Sequence, residues 1–207
     1  MTATTPAEAN GGRREERKAQ NRAKLLEAAR KVFAEKGYGE ATARDIVRET
    51  DLATGTFYNY FKDKQDVFVA LLDEMSEQGR ALARAQRLDP GSSVEERVYN
   101  AFRVYFEWAV EENDVFEVFR RNAGVIAFLP DREPFDLGIS ELLEDMTEWA
   151  KAGDIPAVDL EMLAVAGVGI GFQVATHLVE RDPPDIEGAT TFCTRMFMGG
   201  LRAVSEE

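Results

Sequence analysis

Apolar residues recur at three- and four-residue spacing through the stretches between the glycine and proline breaks of this 207-residue chain, and none shows sustained period-two alternation. That periodicity restricts the chain to helix packed on helix. Leu25, Ala29, Val32 and Phe33 form the first stripe, over about residues 16–36, and Gly37-Tyr38-Gly39 ends it as a C-cap should. Thr42-x-x-Asp45 is a capping box that opens a short helix with Ile46 and Val47 turned inward. After a turn at residues 51–53, a third short helix is expected over about 54–60. Asp63-x-x-Asp66 opens a longer one through Val67, Phe68, Leu71, Leu72 and Met75. Downstream, Pro90, Pro130, Pro134, Pro156 and Pro183-Pro184 punctuate the rest into helical lengths. Ser93-x-x-Glu96 starts a stripe of Val98, Phe102, Tyr105 and Ala109; Phe135, Ile139, Leu142, Met146 and Trp149 make the next; two more run over about 158–181 and 185–204. The expected fold is all-α, with about nine helices.

Charge divides the chain where the helices change character. The net charge is −13, which by itself argues against a nucleic-acid partner. Residues 1–75 carry 13 Lys/Arg and 13 Asp/Glu, however, and residues 76–207 carry 12 and 25. Arg13, Arg14, Arg17, Lys18, Arg22 and Lys24 gather at the start, so a small positive end sits on an acidic body. One cysteine, Cys193, and no charged start joined to an apolar run point to a reducing cytoplasm. The longest uninterrupted apolar or glycine run, residues 162–172, is eleven residues, short of the roughly 18 to 20 that cross a bilayer. A soluble cytoplasmic protein with no membrane association is expected.

Two short helices joined by a three-residue turn, the first capped and the second polar, are the plan of a helix-turn-helix. At 100° per residue, Phe57 and Phe61 share one face of the second helix and would pack on Ile46, Val47 and Leu52. The other side presents Gly55 and Asn59, flanked by Thr56 and Tyr60 on one edge and Thr54 and Tyr58 on the other. Gly55 lets backbone approach DNA; Thr54, Thr56 and Asn59 can contact base edges or a thymine methyl; Tyr58 and Tyr60 can reach phosphates. Thr42 and Lys64, each at a helix start, suit phosphate oxygens.

The string from Thr42-Ala43-Arg44-Asp45-Ile46-Val47 through Ala53-Thr54-Gly55-Thr56-Phe57-Tyr58-Asn59-Tyr60-Phe61-Lys62-Asp63-Lys64, with the preceding residues 25–37, closely resembles the DNA-binding domain of the TetR/AcrR family. The resemblance covers about residues 20–75. It implies a dimer on a palindromic operator, with contacts from Thr42, Arg44, Thr54, Gly55, Thr56, Tyr58, Asn59, Tyr60 and Lys64. Two positions depart from the family pattern, which usually has Gly and Ser where this chain has Asp51 and Ala53. Ala53 cannot cap the second helix or donate to a phosphate, which leaves Thr54 or Asp51 for the cap. The resulting division is a disordered basic arm at 1–15, a helix-turn-helix head at 16–64 and a helical effector-binding and dimerisation domain at 65–207. The arm could follow the minor groove or phosphates, or remain a solvated tail.

In the second domain, Gly167-x-x-x-Gly171 lets another helix approach closely. The family's last two helices form a dimer bundle, so the resemblance implies an interface at about 158–204, including Gly167, Gly171, Met196 and Gly200. The aromatics Phe102, Tyr105, Phe106, Trp108, Phe116, Phe119, Phe128, Phe135 and Trp149 either make core or line an effector cavity, with Arg120, Arg121 or His177 as polar anchors. His177 and Cys193 cannot make a tetrahedral metal site without several carboxylates. No Gly-x-Ser-x-Gly, His-Glu-x-x-His or phosphate loop is present, so neither an enzyme nor a cofactor is expected. The reading is a repressor released by a small, largely apolar or aromatic effector. The alternative is a nucleoid-associated or cell-cycle DNA-binding factor whose body contacts a protein.

Overall fold

In the computed structural model the described residues are 6–85, 91–129 and 133–204, and they form nine helices and no strand. These are α1 (Pro6–Glu40), α2 (Ala43–Arg48), α3 (Thr54–Phe57), α4 (Lys64–Ala85), α5 (Val94–Glu111), α6 (Asn113–Ile126), α7 (Glu133–Ala152), α8 (Leu160–Leu178) and α9 (Ile186–Ala203). The expected starts at 42 and 93 are present as capping boxes: Thr42 and Ser93 each accept from the backbone of the residue three on, whose carboxylate returns to the cap N–H. Asp63 Oδ1 likewise accepts from Asp66 N at 2.9 Å. Three differences from the sequence reading are physical in origin. Residues 6–15, expected as an arm, continue α1, because Ala, Glu and Arg favour helix more than Gly11 and Gly12 oppose it; residues 1–5 and the side chain of Arg13 lie outside the described residues. α3 is regular only to Phe57, after which turn-type bonds from Asn59 N to Thr56 O and from Tyr60 N to Phe57 O carry the chain on. The span after Ser93 is two helices, since Glu112 (φ −101°, ψ 46°) breaks it into α5 and α6.

Two apolar clusters organise the molecule. The first joins Leu25, Val32 and Phe33 of α1, Ile46 and Val47 of α2, Phe57 and Phe61, and Val67, Phe68 and Leu72 of α4. It also takes Val115, Val118 and Ile126 from α6, so a domain division at 64/65 runs through a shared core. The second is built on Phe102, Phe106, Phe116, Met146, Ala164, Ala175, Cys193 and Phe197. α6 lies between them: Val115, Val118, Asn122 and Ile126, at three- and four-residue spacing, are buried on one side, and Phe116 faces the other cluster. Phe33, Phe57 and Phe68 are wholly buried, and truncating such a ring to alanine costs about 3 to 5 kcal/mol.

α8 has 19 residues with a mean hydropathy of 1.3, which by length and composition is enough to cross a bilayer. Counting uninterrupted apolar residues missed this, because Gln173 and Thr176 break the run without adding charge. Within the fold, α8 buries Ala164, Gly167, Gly171, Ala175 and Leu178 against its own chain and exposes Met162, Val165 and Val168.

Candidate nucleic-acid interface

The turn and the second short helix are held from behind. Phe57 and Phe61 pack ring to ring at 5.7 Å and bury into the first cluster, as their four-residue spacing predicts. On the outward side Thr54, Gly55, Tyr58 and Asn59 are exposed, Thr56 and Tyr60 are half-buried, and Tyr58 is 62% accessible. Thr42 and Arg44 are exposed beside them at the start of α2. Among the described residues Arg44, Thr54 and Asn59 have no side-chain partner within the chain. A polar surface without internal partners, on a helix anchored by phenylalanines, has its hydrogen-bonding groups free for an external ligand. Ala53 stands at the N-cap of α3 with no side-chain hydrogen bond. Neither expected substitute caps it: Thr54 is the first residue inside α3 and Asp51 is held by Lys24, while Thr50 Oγ1, which sequence reasoning passed over, accepts from Leu52 N at 3.2 Å within the turn.

Much of the positive charge of α1 is spent inside the head. Lys24 pairs with Asp51 at 2.9 Å, Lys31 with Glu49 at 2.6 Å and Lys36 with Asp45 at 2.9 Å. These pairs are exposed and so add little stability, but they align α1 with α2 and the turn. Asp45 is held down at about 2, first by the Thr42 hydroxyl and then by the Lys36 ammonium. Arg22 lies over the Phe61 ring at 5.6 Å. Sequence reasoning grouped Arg22 and Lys24 with the basic start of the chain; the carboxylates that pair with Lys24, Lys31 and Lys36, 27, 18 and 9 residues away, could not be assigned from sequence.

Lys64, expected at a phosphate, is half-buried and already engaged. Its Nζ donates to Tyr38 O at 2.6 Å and lies 4.3 Å from the centre of the Tyr38 ring. One ammonium has three donors, so the backbone bond leaves capacity for a further acceptor. On the far side of the same residue, Tyr38 N donates to Asn122 Oδ1 at 2.5 Å. Asn122 Nδ2 donates to Phe33 O at 3.2 Å and Val118 O at 2.7 Å. The neighbouring Arg121 Nη1 donates to Glu35 O at 3.0 Å. α6 therefore caps the end of α1 where Gly37 (φ 73°, ψ 163°) breaks it.

The residues expected around an effector are brought together only in part. Tyr105, Trp108 and Phe116 contact one another at 5.8 to 6.4 Å, Phe102 stacks on Phe106 at 5.9 Å, and Phe116 meets Phe172 at 5.9 Å. Trp149 is half-buried against the second cluster, under Arg97. Burial pushes the Tyr105 hydroxyl well above its ordinary value. Phe119 joins the first cluster instead and touches Trp108 at 6.1 Å. Phe128 is 88% accessible and lines nothing, because the chain leaves α6 at Ile126 and carries it outward. The side chain of Phe135 lies outside the described residues. The proposed anchors also differ from expectation: Arg120 is held by Glu117 and Glu180, Arg121 by Glu117 and the α1 carbonyl, and His177 is exposed on α8. The two concavities described lie elsewhere, one of about 430 Å³ beside Arg17, Lys24 and Asp51, the other of about 630 Å³ beside Phe192, Arg195 and Met196.

The glycine pair expected at an interface packs within the chain. A Cβ on Gly167 would meet Phe197 at 3.1 Å, and one on Gly171 would meet Phe102 at 3.5 Å. Both glycines thus admit side chains of their own chain. The outward face of α8 and α9 is Met162, Val165, Val168, Phe192 and Met196, with Gly200 exposed beside them.

Residues 25–71 match the sequence model of bacterial regulatory proteins of the tetR family. The HTH-type transcriptional regulator YdgC of Bacillus subtilis is 28% identical over 102 residues, 48% of this chain and 52% of that protein, so the chain spans about half the length of this relative. A structure of the fatty acid degradation regulator FadR of Bacillus halodurans superposes with a TM-score of 0.74 at 24% identity, covering 87% of this chain and 96% of that one. The transcriptional regulator FadR of Bacillus subtilis, solved in complex with stearoyl-CoA, gives 0.72 at 19% identity over 86% and 98%.

Proposed function

We propose that this chain, whose residues 25–71 match the sequence model of tetR-family bacterial regulatory proteins, is a cytoplasmic homodimeric repressor that binds a palindromic operator. The observation that carries this reading is the outward face of α3, polar and without internal partners, on a scaffold fixed by Phe57 and Phe61. Thr54, Gly55, Thr56 and Asn59 read base edges in the major groove, while Thr42, Arg44, Tyr58, Tyr60 and Lys64 hold the flanking phosphates. The exposed apolar face of Met162, Val165, Val168, Phe192 and Met196 pairs with its copy. That pairing sets two heads about 34 to 36 Å apart, one turn of DNA. The acidic body is repelled by phosphate and leaves the head as the favoured contact.

Release is by a small, largely apolar effector that opens the space among Tyr105, Trp108, Phe116 and Phe172. Both FadR neighbours are named as regulators, one of them of fatty acid degradation and the other solved with stearoyl-CoA. Fatty acyl thioesters are therefore the first effectors to try. Close packing of these rings favours a second reading, in which the body contacts a protein and the head binds many sites.

The test is selection of genomic fragments by the purified protein at physiological salt, with footprinting of the best one. A short palindrome protected by the wild type, weakened in Tyr58→Phe and Lys64→Ala at unchanged helicity and released by an acyl thioester, supports the proposal. Scattered sites without a palindrome support the second reading. Selection of no fragment refutes both.

A further inference from the structure

We propose that Asn122 is a positioning residue for operator binding, holding the head in register with the body through the end of α1. The inference rests on the reading of the head as the operator-binding unit. Asn122 is 1% exposed, a buried polar side chain where α6 crosses from the body into the core of the head. Its carboxamide spans the break at Gly37. Nδ2 donates to Phe33 O in the last turn before the break, and Oδ1 accepts from Tyr38 N, the first amide after it. The carbonyl of the same Tyr38 is taken by Lys64, seven residues beyond Phe57. A single residue thus lies between an α6 side chain and the start of α4, immediately after the proposed reading helix.

On its body side, α6 is held through Phe116 against Phe172 of α8 and through Arg120 against Glu180 beyond its end. A shift of α6 driven from there reaches the head through hydrogen bonds whose geometry is narrow rather than through slack apolar contact. Leucine at position 122 would fill the space and carry no such direction.

The substitution that separates positioning from packing is Asn122→Asp. It keeps the shape and the acceptor for Tyr38 N. It turns an oxygen toward Phe33 O and Val118 O, where the amide now donates at 3.2 and 2.7 Å. As a carboxylate it repels them; protonated, it donates again. Burial raises its titration into an accessible range, against the charges tied to this junction, Arg121 and Glu117 of α6 and Lys64 of α4 through Tyr38. The only histidine, His177, is exposed on α8, away from this junction.

The experiment measures binding of full-length wild type, Asn122→Asp and Asn122→Leu to the fragment selected by the wild type, at pH 5.5 and 8, with helicity recorded in each sample. The expected result is binding by Asn122→Asp about tenfold weaker than wild type at pH 8, in the range of typical coupling between sites, and recovered at pH 5.5. Asn122→Leu stays weak at both. Equal binding by all three overturns the proposal, as does loss of affinity that only follows loss of helicity. If the wild type selects no fragment, the operator reading fails and this inference falls with it.

Discussion

Gly37 and Gly39 sit two residues apart in one motif, yet replacing each with alanine should have opposite effects. Gly37 is buried with φ 73° and ψ 163°, a region essentially restricted to glycine, where another residue costs about 1 to 3 kcal/mol. Its new Cβ would meet Arg121 Cγ at 3.5 Å and Asn122 Oδ1 at 3.7 Å, which is ordinary contact, so the penalty comes from the backbone. Stiffening of the unfolded chain returns about 0.4 to 1 kcal/mol. Taken near the middle of both ranges, the net loss is about 1 to 2 kcal/mol. Gly39 is exposed, has no positive φ and has nothing within 4 Å of an added Cβ. Alanine there keeps the gain of about 0.4 to 1 kcal/mol without the penalty. At about 2 to 4 °C per kcal/mol for a chain of this size, Gly37→Ala should melt about 2 to 8 °C below the wild type and Gly39→Ala slightly above it. Thermal and urea unfolding, followed by circular dichroism at one protein concentration, measure both. Equal midpoints for the two variants would refute the assignment of the helix break to Gly37.

In acid, Asp45 is held at about 2 against an ordinary 3.8, so its contribution is complete above about 4 and disappears as the pH falls through 2; Asp45→Asn should flatten that part of the acid transition, and an unchanged curve would count against the capping box as its source. In alkali, burial raises the Cys193 thiol from 9.0 to about 11, so its contribution is complete below 9 and is lost as the pH rises through 11. Cys193→Ala should reduce the alkaline loss, and in the wild type a thiol reagent at pH 8 should react only as fast as the protein opens. Val168, 44% exposed on α8, should tolerate glutamate in the isolated chain; Val168→Glu is expected to lower the sedimenting mass from dimer to monomer at unchanged helicity, and a persistent dimer would exclude this face.

Legibility from sequence followed the range of the interactions. Thr42 and Ser93 announce their helices because cap and partner lie three residues apart, and Phe57 and Phe61 announce the buried side of α3 for the same reason. The division of the span after Ser93 was missed because Glu112 breaks the helix by its dihedral angles, without a glycine or proline to mark it. That omission hid α6, and with it Asn122, whose partners on α1 are 84 and 89 residues away. The spacing of Gly167 and Gly171 could not show that the groups lying over them are the Phe197 and Phe102 rings of the same chain. Arg120 looked available because Glu117 was not weighed beside it and Glu180 lies 60 residues on.

The peptide unit of Tyr38 has its N–H claimed by α6 and its carbonyl by Lys64. One backbone hydrogen therefore meters the joint between head and body. It can exchange with solvent only when Asn122 lets go, so its exchange rate under native conditions gives the free energy of that opening. Because the gauge belongs to the free protein, the stiffness of the joint becomes measurable before any DNA or small molecule has been identified.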